Sequence, residues 1–88
     1  MELKDTVEPM LSEDYKERFL AEYNQTRIRY EKLNSMCEAW DAGKLDFEPT
    51  CPRGLYSDQL HFMKCYLGIL ETRAIIEGVK IENVIFSK

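Results

Sequence analysis

The stretch from Phe19 to Trp40, FLAEYNQTRIRYEKLNSMCEAW, sets Phe19, Tyr23, Thr26, Tyr30, Leu33, Cys37 and Trp40 at alternating spacings of four and three. Positions three and four apart share one face of a helix, so the stretch predicts a helix with a continuous seam for a partner helix. A second stretch repeats the rhythm in Tyr56, Leu60, Met63, Leu67, Leu70 and Ala74. Between the two, residues 43–54 hold two prolines, two glycines and only two large apolar side chains, Leu45 and Phe47. Such a run is a loop, longer than a minimal helix–helix connection. The expected fold is therefore all-α: an antiparallel two-helix hairpin with short terminal segments.

Boundary signals refine this outline. Ser12, followed by Glu13 and Asp14, combines a capping hydroxyl with acids at the positive end of a helix dipole, so the first helix is expected over residues 12–42, with Gly43 as its stop. The loop then covers 43–54, and a second helix runs over 55–77 up to Gly78. Antiparallel closure brings Trp40 near Tyr56, Leu33 near Met63 and Tyr30 near Leu67. Residues 1–11 read as a tail with at most a short turn. Residues 79–88, rich in Val, Ile and Phe, are too apolar to extend into water and are expected to dock on a surface or pair as a short strand.

Eighty-eight residues make one domain, and a core in so small a chain rarely contributes more than about 3–5 kcal/mol. Additional stabilisation is expected from assembly. Beside its first seam, the second helix carries Leu55, Phe62, Tyr66, Ile69 and Ile76 on an adjoining stripe, an apolar face too wide for one partner helix. Either the terminal segments cover that stripe or a second copy does, and a homo-oligomer is the expectation. Disulfides are not an expected source of stability: Cys37, Cys51 and Cys65 are odd in number, lack Cys-x-x-Cys spacing, and follow no apolar leader core. Three scattered cysteines and the single His61 do not form a zinc pattern, so neither a metal nor a cofactor is expected.

Sixteen acidic against twelve basic residues give a formal charge of −4, which disfavours duplex nucleic acid as a partner. No apolar run reaches the roughly 18 residues of a membrane helix, so a soluble cytoplasmic protein is expected.

Catalysis finds little support. Cys37 lies on the seam, where a cysteine is a small apolar filler. Cys65 and His61 are four apart on one helix face but have no third group to orient them. No phosphate-binding glycine loop follows a strand. A binding site is easier to build. Arg27, Arg29 and Lys32 lie within two turns of the first helix, interleaved with Tyr23, Asn24 and Tyr30. Arginine forks match phosphate oxygens and tyrosine faces stack on nucleobases, although the same tyrosines are seam residues and the same cations also balance Glu31 and nearby acids. Arg73 interrupts the second stripe between Ile69 and Ile76 and needs an anionic partner, from Glu22 across the hairpin or from a ligand. The loop adds Phe47, Thr50 and Arg53 at the start of the second helix.

The segments Asp14-Tyr15-Lys16-Glu17-Arg18-Phe19 and Arg29-Tyr30-Glu31-Lys32-Leu33, the loop from Ala42 to Pro52, and the positions Gln59 to Met63, Tyr66, Ile69 to Glu71 and Arg73 resemble small helical-hairpin proteins of tailed phages and prophages. These form the family related to a small crAss-like phage protein. The likeness spans roughly residues 13–81, with the loop its most distinctive part. It implies a phage product acting in the cytoplasm of a bacterial host cell. An assembling helical hairpin is, at the level of fold, similar to phage sponge proteins that sequester cyclic nucleotide or ADP-ribose-derived immune signals. On that analogy the ligand is a nucleotide-derived small molecule bound without turnover. Arg27, Arg29, Lys32, Arg53 and Arg73 would hold phosphates, and Tyr23, Tyr30, Trp40, Phe47, Tyr56 or Tyr66 would flank the base or ribose. The alternative is an inhibitor that docks on a host defence protein.

Overall fold

Asp14 has extended backbone and its carboxylate accepts the Lys16 amide at 2.9 Å, so in the computed structural model the first long helix begins just after it. The structure describes residues 1–82 and 84–86. Asn83, Ser87 and Lys88, part of the expected C-terminal docking segment, lie outside the described residues. The chain runs through a 3-10 turn at Leu3–Thr6, then α1 at Val7–Met10, α2 at Tyr15–Asp41 and α3 at Arg53–Glu77. It is all-helical, with no strand among the described residues.

Ser12, the expected start of α2, lies outside the helix. Its hydroxyl accepts the Asp14 amide at 3.0 Å and donates to Glu17, which fixes the approach of the chain to the helix. At the far end Ala42 caps α2 and Gly43 takes φ 71°, letting the Lys44 amide reach the Ala39 carbonyl at 2.8 Å. Helix α3 starts earlier than the 55 expected, because Arg53 is held in its first turn by Ser57 Oγ at 2.8 Å and by Asp41 of α2. Gly78 ends it in the left-handed conformation at φ 73°, and the Val79 amide returns to the Ala74 carbonyl at 2.8 Å.

The two seams face each other. Phe19, Tyr23, Leu67, Leu70, Ala74 and Val79 form the buried cluster, with Leu20, Tyr30, Ile81 and Phe86 packed around it. Toward the loop the seam continues through buried Cys37 to an edge-on contact of Trp40 and Tyr56, ring centroids 6.0 Å apart. The N-terminal residues depart from the expected tail: the 3-10 turn and α1 pack along α2, and Thr6 is buried with its hydroxyl donating to the Leu3 carbonyl at 2.7 Å. At the other terminus Phe86 meets Tyr30 edge-on at 5.2 Å and passes so close to Gly68 that a Cβ there would lie 3.3 Å from the Phe86 carbonyl oxygen.

Neither terminal segment covers the second stripe of α3. Leu55, Phe62, Tyr66, Ile69 and Ile76 all remain exposed, Phe62 to 69 % and Ile76 to 79 %.

Candidate functional site

Glu71 is fully buried on the inner edge of α3, and its carboxylate accepts hydrogen bonds from side chain and backbone alike. The Tyr23 hydroxyl donates to it at 2.5 Å, and the amides of Ile85 and Phe86 at 3.3 and 2.7 Å. The Arg27 Nη1 reaches the Tyr23 oxygen at 3.4 Å and its Nε reaches Glu31 at 3.4 Å. Burial, aided by the hydrogen bond to Glu71, pushes the Tyr23 phenol up to about 12. This network fastens the C-terminal segment to the hairpin, and it uses Tyr23 and Arg27 structurally.

Beyond it, where the start of α2 lies beside the end of α3, a groove of about 330 Å³ is lined by Met10, Tyr15, Arg18, Phe19, Glu22 and Arg73. The Arg73 guanidinium lies over the Phe19 ring at 4.9 Å and donates through Nε to Glu77 at 2.8 Å. That bond holds the Glu77 carboxyl below its ordinary value and Arg73 above its own. Arg18 donates through Nη1 to the Ser12 carbonyl at 2.6 Å. The groove thus combines two forked cations, two aromatic rings and one carboxylate. That set can hold phosphate oxygens, cover a flat ring, and accept from sugar hydroxyls.

A different arrangement occupies the hairpin tip. Arg53 grips Asp41 with both Nε and Nη2 at 3.0 Å and lies 6.0 Å from the Trp40 ring, which in turn meets Tyr56. This bidentate bond lowers the pKa of Asp41 and raises that of Arg53. An anion arriving here would have to displace a carboxylate already paired in the preferred geometry.

A family model described as Sequestin matches residues 13–76, most of the chain. The chain belongs to the Sequestin family. No curated protein matches it, and no solved structure does. The Sequestin match begins one residue before the cap of α2 and ends at Ile76, so it contains the hairpin save Glu77, the last residue of α3, together with the tip, Glu71 and every lining residue of the Arg73 groove except Met10. The 3-10 turn, α1 and the segment after Gly78 fall outside it.

Within this Sequestin hairpin the residues singled out from sequence are spread over several places. Arg53, Trp40 and Tyr56 meet at the tip, with Phe47 exposed in the loop nearby in sequence. Tyr23 and Arg27 join the Glu71 network. Arg29 and Lys32 are exposed on α2, Tyr30 packs on Phe86, and Tyr66 is exposed on the outer stripe of α3. Arg73 alone of the eleven lines the α2–α3 groove. Its neighbours there, Tyr15, Arg18, Phe19 and Glu22, follow i, i+3, i+4 and i+7 along the first two turns of α2, a spacing that places them on one face. Glu71 also left a signal: it lies four residues after Leu67 and three before Ala74, inside the apolar seam. Among the described residues no group of three or more His, Cys, Asp or Glu side chains is placed to hold a metal ion, and no helix is long and apolar enough to cross a membrane.

Proposed function

We propose that the protein binds a nucleotide-derived immune signal, of the cyclic ADP-ribose or cyclic oligonucleotide class, and withholds it unchanged from its receptor. It would do so as a phage-encoded anti-defence protein in the cytoplasm of a bacterial host. The observation that carries this reading is the groove of Arg18, Arg73, Tyr15, Phe19 and Glu22 on a chain whose family is named for sequestration. Arg18 and Arg73 hold the phosphates. The Arg73 bond to Glu77 occupies Nε and leaves its two terminal nitrogens for a ligand. Exposed Tyr15 covers the base, buried Phe19 backs the Arg73 guanidinium, and Glu22 accepts from ribose hydroxyls. Binding energy is then spent on the ground state of the ligand, which retains it and does not accelerate its breakdown.

Isothermal titration of the full chain with cyclic ADP-ribose isomers, cyclic dinucleotides and cyclic trinucleotides tests this, with the ligand recovered afterwards by denaturation and chromatography. One class should bind at fixed stoichiometry and return intact. Affinity should fall at least about tenfold, the equivalent of one charge-assisted hydrogen bond, in Arg18→Ala/Arg73→Ala. Binding that the double variant leaves unchanged, or a ligand returned cleaved, would overturn the proposal.

A further inference from the structure

The outer face of α3 carries a second heptad seam. Leu55, Gln59, Phe62, Tyr66, Ile69, Arg73 and Ile76 alternate at four and three residues, and every one of them is exposed. Leu55, Phe62, Ile69 and Ile76 occupy one heptad position and Gln59, Tyr66 and Arg73 the other. The seam runs on the order of 30 Å along a straight helix. We propose that it pairs with the same seam of a second copy of this chain, antiparallel, across a two-fold axis beside the turn from Phe62 to Tyr66. The pairing does not depend on which ligand the groove takes.

Three features point to a second copy as the occupant. The first is area: the five apolar side chains, two of them aromatics, present together on the order of 600 Å², close to the roughly 800 Å² each partner contributes to a standard interface. The second is register. Setting Phe62 opposite the partner's Tyr66 also sets Gln59 opposite the partner's Ile69 and Arg73 opposite the partner's Leu55, so each layer from Leu55 to Arg73 joins one position of each kind, as antiparallel coiled coils require, and Ile76 lies at the rim, beyond the last layer. No layer brings Arg73 against Arg73, and the arginine stem can lie along leucine while its head keeps its place over Phe19 and its bond to Glu77. The third is charge: Asp58 borders the beginning of the seam and Arg73 lies near its end. Antiparallel packing sets these unlike ends side by side and opposes the helix dipoles, whereas parallel packing would stack like on like.

A cavity of about 460 Å³ flanks the seam, lined by Cys65, Gly68, Ile69, Thr72, Arg73 and Phe86. The partner helix would close over it. Arg73 belongs to both the seam and the α2–α3 groove, so the partner's first α3 turn also becomes a wall of that groove.

Sedimentation velocity of the full chain should give twice the 10.4 kDa monomer mass. Phe62→Glu/Ile69→Glu, two exposed positions, should sediment as a monomer with unchanged helical circular dichroism. Orientation is read by mild oxidation in a Cys51→Ser background. Cys65, beside the axis, should link to the partner's Cys65. Asp58→Cys, introduced with Cys65→Ser, should not link to itself, because its counterpart lies at the opposite end of the seam. A monomeric wild type, an assembly that survives the double glutamate, or self-linking at position 58 would each overturn the proposal. If the double variant loses its helix, the oxidation pattern of the other two proteins still decides.

Discussion

Tyr23 shows how one side chain can couple the two helices to the solvent pH. Its phenol, buried first of all and also hydrogen-bonded to Glu71, titrates near 12 instead of its ordinary 10.0. A group whose pKa rises on folding contributes stability that is complete below the unfolded value and is lost as pH climbs through the folded one. The alkaline window from 10 to 12 is therefore where the native state should weaken, as an ionised phenol is forced toward a buried carboxylate. Absorbance titration of phenolate in the folded protein should show one of the five tyrosines ionising well after the others. Tyr23→Phe should abolish that late phase and flatten the pH dependence of the urea midpoint between 10 and 12. A wild-type titration complete by 11 would refute the assignment.

At the scale of elements, the ends of the helices are set by single residues. Gly78 holds φ 73°, a conformation that a side chain penalises by about 1 kcal/mol, so Gly78→Ala should lower stability by that amount in chemical denaturation. The same change at Gly68, which is helical, trades a better helix former against a 3.3 Å approach to Phe86. The two inner seams were legible in the sequence because a 3.5-residue repeat has only one reading, and both glycine stops were legible because Gly alone takes the left-handed turn cheaply. The helix starts were less so. Ser12 and Asp14 are both competent caps, and only the side-chain bonds of the folded chain choose Asp14. The early start of α3 rests on Arg53 reaching Asp41, twelve residues back across the loop. Legibility of the candidate site followed the same logic. Arg73 stood out as a cation in an apolar stripe, with Glu22 as a candidate partner across the hairpin, but Tyr15 and Arg18 read as ordinary surface residues. They meet Arg73 only because the hairpin closes and brings the two ends of the chain's helical region together. Glu71 was lost among the many acids that look like solvated charge, since its role depends on where the C-terminal segment lies.

For the whole molecule, an inner seam buried within the chain and an outer seam left bare divide stability into two unequal parts. The hairpin extends 43 Å in its longest dimension and 19 Å in its shortest, so much of α3 is surface, and its bare face would add stability only through the proposed pairing with a second copy. Stability that comes from association follows mass action. The thermal midpoint should thus rise by several degrees when protein concentration is raised a hundredfold, a change of roughly 2.7 kcal/mol in the association term. Phe62→Glu/Ile69→Glu should melt at one temperature regardless of concentration. A midpoint that stays fixed in the wild type would count against any role for the outer seam in folding.

The clasp formed by Glu71 has one more effect, on how the protein behaves in a crowd of its own kind. Val84, Ile85 and Phe86 form a β-branched and aromatic run of the sort that readily recruits like segments into fibrillar stacks. Backbone amides left open on such a run are the template for that growth. Here the Ile85 and Phe86 amides are occupied by a carboxylate, which, unlike another stretch of backbone, offers no further row of donors and acceptors for the next chain to copy. The run Val84 to Phe86 can therefore be sticky in sequence, pack Phe86 against the core, and still keep the Ile85 and Phe86 amides closed to neighbouring chains.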